Sequence, residues 1–322
     1  MSAPLHVFAW HRQSAHAAML ADVCRGLRRQ PKKQSSKYFY DALGSELFER
    51  ICEQPEYYLT RAELELMHAH VADMATVLGP DALLVEYGSG SAIKTRLLLG
   101  HLHRPVAYVP VEVSPAALAD SLARLAPAFP RIEMLPLCAD FTTEIRLPVP
   151  ARRERRTIVY FPGSTLGNFD TPEAVQLLQR MRAQIGADGA ALIGIDLKKD
   201  RVEIEAAYND AAGVTAEFTL NMLARFNREL GADFDLAQFR HRARYNVLAG
   251  RIETHIVSCR AQEVNIGDAR FAFAADEAML VEYSCKYSPE EFARLAARAG
   301  LHVERAWTDA RARFSVQCLR AS

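Results

Sequence analysis

Short apolar runs alternate with amphipathic segments through the middle of the chain. The runs resemble strands that are buried on both faces. They cover residues 82–87, 106–113, 132–138, 157–161 and 190–197. Between them, apolar residues recur at helical spacing over 91–100, 115–126 and 171–186. This rhythm predicts an α/β fold with a mostly parallel, doubly wound sheet and helices on both of its faces.

The pattern differs before and after this central region. Apolar residues at helical spacing predict further helices over 14–28, 45–52, 60–78, 201–230 and 288–301. The last of these carries its own boundary signals, because Ser288 can cap its N-terminus, Pro289 lies in its first turn and Gly300 ends it.

Strand-like runs dominate the late part of the chain. Runs over 251–260, 262–266 and 270–284 predict an antiparallel patch. Two final runs, HVERAW and FSVQCL, predict a hairpin that closes the main sheet. We therefore expect two domains, the sheet domain over 60–199 and 286–322, and a second α+β domain over 1–59 and 200–285.

The composition excludes several classes of protein. The 322 residues include 39 Lys+Arg and 39 Asp+Glu, so no net charge attracts nucleic acid or a membrane. Six scattered cysteines favour reduced thiols in the cytoplasm. No run approaches membrane-spanning length, and the N-terminus has no basic region followed by an apolar one, so we expect no signal peptide. The histidines of the pairs His68/His70 and His101/His103 are two residues apart on predicted helices, so they point apart and we expect no metal site. We also expect a cytoplasmic monomer.

The stretch LVEYGSGSAIKT, residues 84–95, follows the first predicted strand. A phosphate-binding P-loop needs glycine directly before the Lys-Thr pair, and a dinucleotide fingerprint needs a third glycine; Ile93 occupies that position in both. What remains is Glu86-x-Gly88-x-Gly90-x-Ala92, a pattern typical of class I S-adenosylmethionine methyltransferases. Glycine lets the backbone approach the cofactor closely, and we expect Glu86 to accept from its ammonium group.

Two later strands end in residues that suit adenosine. Glu112 ends the second strand, where a carboxylate can accept from both ribose hydroxyls. Asp140 and Phe141 follow the third strand, where the carboxylate can accept from the adenine amino group and the ring can lie along the base. Each residue alone is as easily a helix cap or a core aromatic, but together they favour adenosine binding.

Long blocks of the sequence resemble the histidine Nα-methyltransferases of the ergothioneine pathway. The blocks include YFYDALGSELFERICEQPEYYLTRAE, FPGSTLGNF, AAYNDAAGVTAEF, NRELGADFDLAQFRHRARYN and EYSCKYSPEEF. The resemblance implies a class I methyltransferase sheet with a second, substrate-binding domain. It also implies transfer of three methyl groups from S-adenosylmethionine to L-histidine, which gives hercynine.

The resemblance also implies which residues bind each ligand. The cofactor-binding residues are expected to be Gly88, Lys94, Glu112, Asp140 and Phe141. The residues expected to bind histidine are Tyr57, Asn168, Tyr208, Glu282 and Ser284, with Tyr40 as the catalytic residue close to the amine. Three positions depart from the family pattern, since Glu112 is usually Asp, Tyr87 is more usually Leu, and Thr254 stands where some relatives carry Met.

The residue types agree with these implied roles. Asn168 follows the fourth strand, at the edge where open sheets bind ligands, and Asp170 or Thr171 already supplies the next helix cap. Glu282 and Ser284 lie two residues apart, so they share one face of a strand. A neutral imidazole has one N–H and one bare nitrogen, which an acceptor beside a hydroxyl would match.

The sequence leaves three other functions open. The protein could methylate another small amine or amino acid, it could be a nicotinamide-dependent oxidoreductase, or it could be a silent binding protein that retains the methyltransferase fold. Ile93 and the absence of an obvious hydride-transfer pair count against the oxidoreductase.

Overall fold

The computed structural model describes residues 12–90 and 92–322, so Ser91 and residues 1–11 of the predicted second domain lie outside the described residues. The helices, in chain order, are α1 (Arg12–Arg28), α2 (Ala42–Glu53), α3 (Tyr58–Leu78), α4 (Ile93–His101), α5 (Pro115–Leu125), α6 (Thr171–Ile185), α7 (Arg201–Ala206), α8 (Val214–Leu230) and α9 (Pro289–Arg298). The strands are β1 (Ala82–Tyr87), β2 (Ala107–Glu112), β3 (Glu133–Met134), β4 (Leu137–Cys138), β5 (Arg156–Phe161), β6 (Ala190–Asp196), β7 (Phe239–Asn246), β8 (Arg251–Ser258), β9 (Gln262–Ile266), β10 (Ala269–Phe273), β11 (Ala278–Cys285), β12 (Leu301–Thr308) and β13 (Phe314–Ala321).

The described chain divides into two compact units. The first unit comprises Leu59–Lys198 and Cys285–Ser322, and the second comprises 12–58 and 199–284. No helix of the described chain combines the length and the apolar character that crossing a membrane requires.

The first unit contains one large sheet in the order β12-β13-β6-β5-β1-β2-β3, with β4 also paired to β2. Strands β1, β2, β5 and β6 run parallel, and β13 adds antiparallel to β6. Every residue of β1 and β6 is buried, which explains why their sequences are apolar apart from Glu86 and Asp196 near their ends. The predicted α/β sheet and its closing hairpin are confirmed.

The order of the strands reverses at β1, which lies between β2 and β5. Ligands of open α/β sheets bind outside the carboxyl ends of the strands at such a point. The register places Tyr87 opposite Val111 and Glu112 opposite Cys138, so the residues after β1, β2 and β4 lie at the same edge. The predicted strand over 132–138 is two short strands, because Pro136 interrupts it and has no N–H to donate.

The second unit contains a three-stranded sheet in the order β11-β8-β7 and a separate hairpin of β9 and β10. Helix α8 packs on β7, and His241 of β7 is within 2.9 Å of both the Thr219 hydroxyl of α8 and the Tyr208 carbonyl. The expected second α+β region is therefore present. Its predicted strand over 270–284 divides into β10 and β11 at a turn where Asp276 has a φ of 61°.

The predicted helix over 201–230 is also divided. Gly213, at a φ of 75°, precedes α8, and the Asp210 carboxylate accepts from the backbone N–H groups of Val214 and Thr215 at 2.7 and 2.8 Å. These bonds satisfy N–H groups that the first turn of a helix leaves without partners, so they start a second helix at this point.

Candidate active site

The turn after β1 opens onto empty space. Gly88 and Gly90 have φ angles of 78° and 40°, which favour glycine over other residues. A Cβ atom added to either glycine would meet no atom of the described residues within 4 Å, apart from its chain neighbours. Between them, the buried Ser89 hydroxyl has no hydrogen-bond partner within the described residues. The turn thus combines free space with an unsatisfied polar group, which fits a polar ligand such as S-adenosylmethionine.

Glu112 and Asp140 lie side by side at this edge, and both carboxylates are held by backbone N–H groups. Glu112 accepts from Val113 at 2.8 Å, and Asp140 accepts from Thr142 at 2.9 Å. Burial raises the pKa of Glu112, and the backbone N–H groups around it oppose that rise. The Ala139 N–H donates to the Glu112 carbonyl at 3.1 Å, which fixes the spacing of the two turns. The structure thus brings Gly88, Glu112 and Asp140 together.

Phe141 packs against an aromatic residue that the sequence marked only as a departure from the family. The rings of Tyr87 and Phe141 stack with centroids 5.2 Å apart and an angle of 11° between their planes. The Tyr87 hydroxyl donates to Gln184 at 2.5 Å, and Phe161 contacts Phe141 edge-on at 5.4 Å. Tyr87 and Phe161 thus fix the orientation of Phe141, which is predicted to lie along the adenine.

Glu86 lies beneath the turn. It is 2 % exposed, and its carboxyl group accepts from the Tyr108 hydroxyl at 2.5 Å and from the Thr95 hydroxyl at 2.7 and 2.8 Å. Burial raises the pKa of Glu86 to about 8. The structure contradicts the expectation that Glu86 accepts from the cofactor's ammonium group, because these hydroxyls engage its oxygens inside the unit.

Lys94, in the first turn of α4, is paired with a residue that the sequence analysis missed. Its ammonium lies 2.5 Å from the Glu63 carboxylate of α3, which also accepts from the Gly163 N–H at 3.0 Å. The signal for Glu63 was present in the sequence, because a carboxylate falls on the same helical stripe as the buried Leu66 and Met67. A role for Lys94 in cofactor binding stays a prediction.

Five of the residues predicted from the sequence lie near one another in the second unit, and they are Tyr40, Tyr57, Tyr208, Glu282 and Ser284. The Tyr208 and Ser284 hydroxyls are hydrogen-bonded at 2.6 Å, and the rings of Tyr57 and Tyr208 meet edge-on at 6.3 Å. Burial first, and then the nearby Tyr208, Tyr40 and Glu282, raise the pKa of Tyr57 well above its ordinary value. Tyr57 therefore stays protonated at neutral pH and is available as a hydrogen-bond donor.

Tyr40 belongs to an aromatic cluster that includes two residues not predicted from the sequence. Its ring meets Phe48 at 5.8 Å and Phe218 at 5.7 Å, both edge-on, and Phe48 meets Tyr57 at 6.2 Å. Aromatic rings attract quaternary ammonium groups through their negative faces. Phe48 and Phe218 were missed because a phenylalanine on an amphipathic helix is indistinguishable from a core residue in a single sequence.

Thr254 and Asn168 are the remaining residues that the sequence singles out. Thr254, in β8, is 1 % exposed, and its hydroxyl has no partner within the described residues. Asn168 ends a 3₁₀ turn, Thr165–Asn168, in the first unit and is partly buried. The next helix is capped by Asp170 in a capping box with Glu173, so the expectation that Asn168 is not needed as a cap is confirmed.

The sequence is similar to known proteins along most of its length. The sequence profile described as "Histidine-specific methyltransferase, SAM-dependent" matches residues 19–321. The histidine N-alpha-methyltransferase of Mycobacterium tuberculosis (strain CDC 1551 / Oshkosh) is 40% identical over 304 residues, covering 92% of each chain. The enzyme of the same name from Mycolicibacterium smegmatis is 39% identical over 302 residues, again covering 92% of each chain. Ergothioneine biosynthesis protein 1 of Neurospora crassa is 30% identical over 86% of this chain and 32% of its own length.

Proposed function

This chain belongs to the family of histidine-specific, S-adenosylmethionine-dependent methyltransferases, and from this premise we propose that it methylates the α-nitrogen of L-histidine three times, giving hercynine for ergothioneine synthesis. The observation that carries the proposal is the cluster of the buried residues Tyr57, Tyr208 and Ser284 with the partly buried Glu282, whose polar groups match an amino acid with an imidazole side chain.

We propose that the cofactor is held at the carboxyl edge of the large sheet. The backbone at Gly88 leaves room for it, Glu112 accepts from the ribose hydroxyls, Asp140 accepts from the adenine amino group, and Phe141 lies along the base. When bound, the cofactor supplies a methyl group on a sulfonium, which is already a strong electrophile. The chain therefore has mainly to orient the amine and to keep it unprotonated.

We propose that the second unit is the substrate-binding domain. Glu282 accepts from the imidazole N–H, and Ser284 donates to the bare nitrogen. Tyr40 is the proposed catalytic residue, which lies beside the α-amine and relays its proton to solvent. The phenol oxygen accepts the proton from the ammonium, directly or through water, while the phenol O–H proton passes to another water. The rings of Tyr40, Phe48 and Tyr57 provide an apolar, electron-rich wall that suits the permanent charge of a trimethylated product.

Mass spectrometry of L-histidine incubated with the enzyme and S-adenosylmethionine tests the proposal. We expect additions of one, two and three methyl groups, with the third dominant at completion. The main alternative, a methyltransferase for another small amine, predicts faster turnover of a different member of an amino-acid panel. Calorimetry with S-adenosylhomocysteine separates both from a protein that no longer binds the cofactor. We also propose that the enzyme acts as a cytoplasmic monomer without nucleic acid, which sedimentation velocity and fractionation would test.

Glu112→Ala is expected to weaken binding of S-adenosylhomocysteine by about 1.5–3 kcal/mol, since two charge-assisted hydrogen bonds to the ribose are lost. Calorimetric titration of wild type and variant measures this. Glu112→Asp is the matched control, because Asp is the usual residue in the family and should retain most of the affinity. Unchanged affinity in Glu112→Ala would remove this residue from the site.

Histamine is expected to be a much poorer substrate than histidine, because it lacks the α-carboxylate to which the Asn168 amide is proposed to donate. A hydrogen bond to a charged group contributes about 1.5–3 kcal/mol, so kcat/KM should fall roughly ten- to a hundredfold or more. Asn168→Ala should reduce the difference in kcat/KM between histidine and histamine. Equal kcat/KM values for histamine and histidine in the wild type would show that the carboxylate is not recognised.

A further inference from the structure

We propose that Glu63 is a positioning residue, which holds Lys94 and the turn after β5 in the arrangement that binds the cofactor. The inference rests on the proposed function only through the expected role of Lys94 in cofactor binding. All of the groups involved lie in the first unit, on α3, α4, β6 and the turn between β5 and the 3₁₀ turn that carries Asn168.

The carboxylate of Glu63 is enclosed and has two kinds of partner. Glu63 is 0 % exposed, and its Oε2 lies 2.5 Å from the Lys94 Nζ. Both of its oxygens lie 3.0 Å from the backbone nitrogen of Gly163. Burying a carboxylate is costly unless it is paired and hydrogen-bonded, so these partners are required for the charge to remain in place. Because Glu63 is enclosed, it acts on a ligand through its partners.

The neighbouring strand is built to make room for this carboxylate. A Cβ atom on Gly194 of β6 would lie 2.6 Å from the Glu63 Oε1 and 3.1 Å from two ring carbons of Phe314, so a larger residue at this position would displace the carboxylate and press on that ring. The turn that Glu63 holds contains Gly163 and Ser164 at φ angles of 75° and 57°. The Ser164 hydroxyl accepts from the Asp196 N–H at 2.9 Å, so the turn is tied to β6 as well.

Glu63 thus connects the turns that follow β1 and β5, which are neighbouring strands at the point where the strand order reverses. Both turns are expected to carry ligand-binding residues. One partner, Lys94, begins the helix that follows the glycine turn, and the other, Gly163, begins the turn that leads to Asn168. A lysine side chain carries about 2 kcal/mol of rotamer freedom, which Glu63 removes before a ligand binds. The ammonium has three donors and uses one for Glu63, which leaves two that can donate to an anionic group, such as the carboxylate of the cofactor's amino-acid part.

Glu63→Gln tests the inference, because it keeps the shape and an acceptor for the Gly163 N–H but removes the charge that holds Lys94. We expect the Kd for S-adenosylhomocysteine to rise about tenfold. Lys94→Met should have a similar effect, and the double variant should bind within about twofold of Lys94→Met, since the two residues act as one unit. Glu65→Gln is the control on the same helix. Glu65 is half-exposed and lies 3.6 Å from Arg313, so affinity should not change.

A second variant covers the case in which Glu63→Gln does not fold. Gly194→Ala retains the charge and displaces the carboxylate, and it should raise the same Kd without preventing folding, as checked by thermal unfolding. Wild-type affinity in a folded Glu63→Gln or Gly194→Ala protein would overturn the inference. Tighter binding would overturn it too, because Glu63 would then compete with the cofactor for Lys94. Since the measurement uses no histidine, a wild type that binds S-adenosylhomocysteine but leaves histidine unmethylated would contradict only the proposed function.

Discussion

Glu282→Ala is expected to abolish most of the preference for histidine. In the wild type, an apolar amino acid such as leucine would place a group that cannot donate a hydrogen bond against the Glu282 carboxylate, and discrimination of this kind reaches roughly 10⁴-fold. The variant retains only differences in apolar packing, which supply about 10–200-fold. We therefore expect kcat/KM to fall steeply for histidine and to change much less for leucine and phenylalanine.

The measurement is kcat/KM for the three amino acids in wild type and variant. Glu282→Gln is the matched control, because its amide oxygen can still accept from the imidazole N–H, so part of the preference should survive. A Glu282→Ala enzyme with the wild-type preference would place selectivity elsewhere. The buried Thr254 hydroxyl, which has no partner within the described residues, would be the next group to replace, by valine.

Glu86→Gln is expected to change how stability depends on pH. Burial raises the pKa of Glu86 from an ordinary value of 4.5 to about 8, with further raising by Glu63 and lowering by Tyr108, Thr95 and Lys94. Between these two pH values the folded state holds a proton that the unfolded state has released. The stability that Glu86 contributes is therefore fully present below pH 4.5 and is lost as the pH rises through 8, at about 1.4 kcal/mol per pH unit.

The glutamine variant stays neutral and can accept the same hydroxyls, so this slope should be missing from it. Urea unfolding of both proteins from pH 5 to pH 9 measures the difference, and subtraction of the two curves removes the groups that titrate in both. We expect the variant to be the more stable protein at pH 9. Parallel curves over the whole range would show that Glu86 ionises near its ordinary pKa.

The parts of the fold that the sequence predicted share one property, which is a strong periodic signal. Strands β1 and β6 are buried on both faces, so their apolar runs are continuous, and the capping signals at Ser288 and Asp170 are local. Strand β7 was missed because FRHRARYN alternates arginines with a face that carries only two large apolar residues, Phe239 and Tyr245. This apolar signal is weak, and only pairing with the distant β8 makes the segment a strand.

The candidate site also combines residues that the sequence reveals with contacts that only the fold creates. Glycines and acids at the ends of successive strands are visible in sequence, since topology brings such ends together. The bond between Tyr208 and Ser284 joins residues far apart in the chain, and the stacking of Tyr87 on Phe141 depends on where two turns meet. Glu86 was assigned the wrong role because the sequence shows the order of residues and does not show which side of the turn a carboxyl group occupies.

The second unit is assembled from two segments of chain, 12–58 and 199–284, separated by 140 residues of the other unit, 59–198. During synthesis, helices α1 and α2 therefore leave the ribosome long before the strands that complete their unit. At 5–20 residues per second, this interval lasts on the order of ten seconds. In that time α2, whose residues Leu47 and Ile51 are buried in the finished protein, lacks helix α8, on which it packs. The order of synthesis thus makes completion of the second unit wait until the whole of 59–198 has been made.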